Sequence, residues 1–138
     1  MRAAIYTAGL LLAFEAPAVM ACGHCIEDKI AAVYDHAAVT RAVGSGHQIA
    51  FFHIDGALAP GSPTRRGLEA IAESVEGVDR GSVRVSLESA SLAVAFDPRR
   101  WSLGAVQKAL EKKLAAKKLS LMLMRVMDSP GEFKTVGR

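Results

Sequence analysis

Apolar residues recur along this chain at two periods, and the places where one period gives way to the other mark out its elements. From Ile26 to Val43 they fall at Ile26, Ile30, Val33, Tyr34, Ala37, Ala38 and Ala42. These steps of three and four predict one amphipathic helix over 26–43. Glu27 and Asp28 lie in its first turn, where carboxylates suit the positive end of the helix dipole, and Gly44-Ser-Gly46 stops it. HQIAFFHI (47–54) reads as a strand and is followed by a turn-rich loop from Asp55. Ser62 is expected to cap a second helix with Pro63 at its first position, an apolar face of Leu68, Ile71, Ala72 and Val75, and Gly77 as its close. Over 82–89 Val83, Val85 and Leu87 alternate with polar neighbours, as in a half-buried strand. Leu92–Phe96 is a continuous apolar run ended by Asp97-Pro98. Ser102 caps a third helix with the stripe Leu103, Val106, Leu110 and Leu114. A last strand covers 119–127, and 129–138 reads as a flexible C-terminal tail.

After the first helix the order is therefore strand, helix, strand, strand, helix, strand. That order predicts an α+β, ferredoxin-like βαββαβ sandwich, with both crossover helices on one face of an antiparallel sheet. A sheet covered on one face should alternate in every strand, yet 49–54, 92–96 and 121–124 are apolar on both faces. Something must cover the second face. The additional N-terminal helix is the spare element, and it is expected to pack on the open face across the first, third and fourth strands, leaving the second strand at an uncovered edge. The chain thus divides into 22–46, carrying that helix, and 47–128, the ferredoxin-like domain.

The start of the chain is of another kind. Residues 1–21, MRAAIYTAGLLLAFEAPAVMA, run from a charged beginning through an apolar stretch to Pro17 and a small-residue exit at Val19-x-Ala21, the pattern of a secretory signal peptide. The apolar stretch falls short of the roughly 20 helical residues needed to span a bilayer. An exported, periplasmic protein starting near Cys22 is the expectation. Lipid anchoring through Cys22 is the weaker alternative, because Met20 stands where lipoprotein signals carry a small residue. The net charge of +3 is modest, with basic residues spread through the helices and no aromatic interleaving, so nucleic-acid binding is not indicated.

Both cysteines fall in one motif, Cys22-Gly-His24-Cys25, at the head of the first helix. A disulfide across so short a loop would stabilise the fold little, since the effect grows with the length enclosed. Two thiols one helical turn apart at a helix start have a better use. Backbone N–H groups there lower thiol pKa values and favour the anion. A pair of thiolates suits a soft cation such as Cu(I), with His24 able to add a nitrogen. Zinc wants four ligands and would be underfilled. The same four residues are the active-site tetrapeptide of protein disulfide isomerases, which makes thiol-disulfide exchange the alternative. Met122 and Met124 fall on one face of the last strand and could supply thioethers, Met127 on the other, although methionine here most simply fills the core. His36 follows Cys25 on nearly the same helix face but about 16 Å along the axis. His53 is placed to face the added helix, hydrogen-bonded or partly exposed.

Residues 50–127 resemble the heavy-metal-associated domain of copper chaperones, metal-pump amino-terminal domains and periplasmic mercury-binding proteins. The resemblance rests on FFHIDGALAP for the first strand and loop, LEAIAESVEGV for the first crossover helix, VRVSLES and LAVAFDP for the hairpin, and the helix from Ser102. It implies a ferredoxin-like fold and metal handling. The family's Cys-x-x-Cys loop between first strand and first helix corresponds here to Asp55-Gly-Ala-Leu-Ala-Pro-Gly-Ser62, without cysteine or methionine, so its ligands cannot be carried over. The resulting expectation is a metallochaperone-like protein, not an enzyme, with no catalytic residues. Its metal ligands would be Cys22, Cys25 and His24, and its ion copper before mercury or zinc. Its partners would be the ion and another exported metalloprotein or a membrane metal transporter. The alternatives are thiol-disulfide exchange and a degenerate domain used for protein contact.

Overall fold

The computed structural model describes residues 22–129 and 132–134, with side chains described from Ile26 to Ser129. The leader expected at 1–21 lies outside the described residues. The elements are α1 (Cys22–Val33), α2 (His36–Gly44), β1 (Gln48–Asp55), α3 (Ser62–Glu73), β2 (Arg84–Ser86), β3 (Ser91–Phe96), α4 (Leu103–Leu114), a short 3-10 turn (Ala115–Lys117), β4 (Ser120–Ser129) and β5 (Glu132–Lys134). The five strands form one sheet in the order β2-β3-β1-β4-β5, and every neighbouring pair is antiparallel. From β1 to β4 this is the ferredoxin-like arrangement.

The central strands are covered on both faces. Phe51 and Phe52 are adjacent in β1 and both fully buried, so their side chains enter opposite layers. Phe52 joins Ala50, Ile54, Leu68, Phe96 and Leu110 in the layer beneath α3 and α4. Phe51 joins Ile30, Val33, Val39, Ala93 and Met127 beneath α1 and α2. Burying Ile30, Val33 and Val39 contributes about 5–9 kcal/mol before the ordering entropy of the added helices is counted.

Three expectations need correction. The helix over 26–43 is two helices, because Asp35 adopts an extended conformation (φ −119°, ψ 109°) and its side chain caps α2 by accepting from Ala38 N at 3.1 Å. The added helices do not leave β2 uncovered: α1 packs on β2 and β3, and α2 on β1 and β3. Two polar contacts draw α1 that way, the Lys29 ammonium donating to Ser89 O and the Arg84 guanidinium gripping Asp35. The stretch from 129 is not all tail, since Glu132–Lys134 pairs antiparallel with β4 as a fifth strand.

Smaller differences have local causes. The strand over 82–89 shortens to Arg84–Ser86 because Ser82 Oγ accepts from Ala95 N at 3.0 Å, replacing a ladder bond, and Ser86 Oγ accepts from Ser89 Oγ at 2.7 Å, closing the turn. The cap of α3 is Gly61 (φ +109°), with Ser62 already inside the helix. Ser102 caps α4 as expected, its Oγ accepting from Ala105 N at 3.1 Å. Gly77 (φ +100°) lies under the Trp101 ring, where a Cβ would come within 2.9 Å of the indole.

Candidate metal centre

As described, α1 runs from Cys22, and Cys25 lies one turn later, so the CGHC motif occupies the first described turn of this helix. Residues three apart on a helix share a face. The side chains of Cys22, His24 and Cys25, the expected ligands, lie outside the described residues. The body of α1 is held by its buried Ile30 and Val33, by Lys29 on Ser89 O, and at its end by Asp35. Asp35 Oδ2 accepts from Arg84 Nε at 3.0 Å and from Nη2 at 2.7 Å, while its Oδ1 accepts from Ala38 N. The Ala38 N–H and the Arg84 fork together hold the Asp35 carboxyl below the usual carboxylate range.

The direction of α1 decides what lies near its first turn. Val33 borders a small cavity with Ala93, Ala95 and Ser82, whereas Lys29, one turn earlier, reaches Ser89. The helix therefore runs back toward the Ser91 end of β3. There the strands align Ser86, Ser91, His53 and Met122 in one row across the sheet. His53 is half-buried and its Nδ1 lies 3.0 Å from Ala90 O. Met122 is 60% exposed. Met124 and Met127 are buried in the layer beneath α1 and α2, so both belong to the same face. The expectation that Met127 points the other way fails because β4 carries a bulge. Phe51 pairs with Arg125 and Phe52 with Leu123, so Met124 is an extra residue that shifts the phase of alternation. His36 begins α2 and is exposed, with its ring 6.5 Å from that of Tyr34. The break at Asp35 takes it off the helix that carries the cysteines.

The loop between β1 and α3 offers nothing for a metal. Gly56 (φ +127°) packs so closely on the chain after α4 that a Cβ would lie 2.8 Å from Lys118 O. The neighbouring cavity, about 330 Å³, is lined by Ala57, Leu58, Ala59, Pro63 and Leu119 among others, with no sulfur, imidazole or carboxylate. Among the described residues no group of three or more His, Cys, Asp or Glu side chains is arranged to hold an ion. None of the described helices is long and apolar enough to cross a membrane.

The opposite end of the sheet carries a polar cluster that the sequence did not disclose. His47 Nδ1 meets Asp79 Oδ2 at 2.5 Å, and its Nε2 lies 3.7 Å from Asp97 Oδ2. Asp97 also accepts from Arg99 Nε at 2.9 Å, and the Arg99 guanidinium is the main cause of its lowered pKa. The two carboxylates address different ring nitrogens, so they stitch three segments together and do not converge on a common ion. Their separation in sequence leaves no local signal of this contact.

No family model matches the chain, and no curated protein matches it. Solved structures are similar to it over part of its length. Oxidized MerP from Ralstonia metallidurans CH34 is 22% identical, with a TM-score of 0.44, over 56% of this chain and 96% of that one. The N-terminal domain of a potential copper-translocating P-type ATPase from Bacillus subtilis, in its Cu(I)-loaded state, is 22% identical with a TM-score of 0.44, over 60% of this chain and 94% of that one. A copper binding domain from the P-type ATPase HMA7 is 17% identical with a TM-score of 0.43, over 55% and 92%.

Proposed function

We propose that this protein binds a soft metal cation, Cu(I) foremost, through Cys22 and Cys25 on the first turn of α1, with His24 as an auxiliary donor. The observation that supports this most directly is the placement of the two cysteines one turn apart on one helix; the sequence reads this as the helix start. There the unsatisfied N–H groups favour thiolates over thiols, and two thiolates form a donor set that hard ions do not match. In this reading the protein is exported and hands the ion, by ligand exchange, to another exported metalloprotein or a membrane metal transporter. It has no catalytic role.

Thiol-disulfide exchange is the second reading, favoured by the CGHC tetrapeptide itself. It fits the architecture less well, because here the motif lies on a helix that precedes the first strand of an all-antiparallel sheet. One experiment separates the two. The processed protein is purified anaerobically, titrated with Cu(I) against a chelator, and the reduction potential of the pair is measured. One-to-one binding lost in the Cys22→Ser/Cys25→Ser variant is the result expected. Weak Cu(I) affinity together with a potential near that of exchange catalysts would favour the second reading.

A further inference from the structure

We propose that His53 and Met122 form a second, weaker Cu(I) site, made of an imidazole nitrogen and a thioether, on the sheet face beside the amino-terminal half of α1. It rests on the metal-binding reading for the choice of ion alone, and its donors are separate from the cysteines.

The ring of His53 is already set for coordination. Its Nδ1 lies 3.0 Å from Ala90 O, and a carbonyl only accepts, so Nδ1 carries the hydrogen. In the neutral ring the lone pair is then on Nε2. A histidine oriented through its other nitrogen by a backbone carbonyl is the usual state of a metal-ligating imidazole. On one flank of His53 is Ser91, fully buried, with its hydroxyl 3.0 Å from Ser89 Oγ. On the other flank is Met122, its direct antiparallel partner. Such partners hold their Cβ atoms about 4.5–5.5 Å apart on one face of the sheet.

Packing does not account for Met122. Met124 and Met127 on the same face are 8% and 1% exposed and fill the core, whereas Met122 is 60% exposed. It stays open because α1 lies over β2 and β3. A thioether and an imidazole select Cu(I) over hard divalent ions, and two such donors suffice for an ion that accepts low coordination numbers. Asp55, the next residue of β1 on this face, is exposed and adds negative charge.

The test uses the full chain carrying Cys22→Ser and Cys25→Ser, with methionine methyl and histidine nitrogen labels for NMR, and Cu(I) added anaerobically. The Met122 methyl and His53 Nε2 signals should move together and saturate at one ion per chain, while those of Met124 and Met127 stay put. Adding Met122→Leu, which conserves volume at an exposed position, should lower the affinity of that ion about tenfold or more. Met122 and His53 signals that ignore added Cu(I), or a His53 shift that survives Met122→Leu unchanged, would overturn the proposal. The cysteine reading fails on a different readout, equal Cu(I) affinity of the wild-type and double-serine chains.

Discussion

Asp35 and Arg84, 49 residues apart, are joined by two hydrogen bonds to one carboxylate oxygen, Nε at 3.0 Å and Nη2 at 2.7 Å. The other oxygen caps α2, so a single side chain ends one helix, starts the next and ties both to β2.

This double role separates two substitutions. Asp35→Asn keeps a capping acceptor and loses the charge, whereas Asp35→Ala loses both. At pH 7 urea midpoints should fall in the order wild type, Asp35→Asn, Asp35→Ala. The folded-state pKa of Asp35 is depressed. Its contribution is therefore complete above the unfolded carboxylate value of about 3.9 and is lost as pH falls through the lower folded value. Asp97 behaves in the same sense, through Arg99 first. Acid should thus narrow the gap between wild type and Asp35→Asn, which unfolding curves at pH 7 and pH 3 will read.

The methionines of β4 give a second contrast. Met127→Ala empties a site that is 1% exposed and should cost about 2–5 kcal/mol in urea unfolding. Met122→Ala, at 60% exposure, should stay within about 0.5 kcal/mol. A large loss at Met122 would show that it is a packing residue after all.

Gly77 combines a left-handed φ of +100° with an indole 2.9 Å from where its Cβ would be. Gly77→Ala should cost about 1–3 kcal/mol. Since the chain has one tryptophan, displacement of the Trp101 ring should appear directly as a change in its fluorescence emission.

Lys29→Met removes the ammonium that holds α1 to Ser89 O while keeping the apolar stem. Amide hydrogen exchange should quicken over residues 26–33 and stay unchanged over α2, whose anchors are Val39, Ala42 and the Asp35 cap. Equal loss of protection in both helices would mean that they open as one unit.

The strand and crossover pattern was legible because alternation at Val83, Val85 and Leu87 and the stripe of α4 follow from burial that the backbone period dictates. The need for a second cover was legible too, since strands apolar on both faces cannot face water. Where the cover lies was not, because Arg84 and Lys29 choose their partners at long range. The break at Asp35 had a local signal, an aspartate three residues before Ala38, but it was masked by the unbroken apolar spacing through Tyr34. The phase of β4 beyond Met124, and with it the side taken by Met127, was unreadable, because a run apolar on both faces looks the same with or without an inserted residue. Of the candidate site, the CGHC spacing was visible in the sequence, while the pairing of His53 with Met122 needed the register.

The bulge at Met124 means that β4 spends one residue more than its partner β1 requires. Excising that residue would bring Leu123 and Arg125 into uninterrupted register with Phe52 and Phe51 but would remove a buried thioether, so the irregularity of this strand is the means by which a second methionine reaches the layer beneath the added helices.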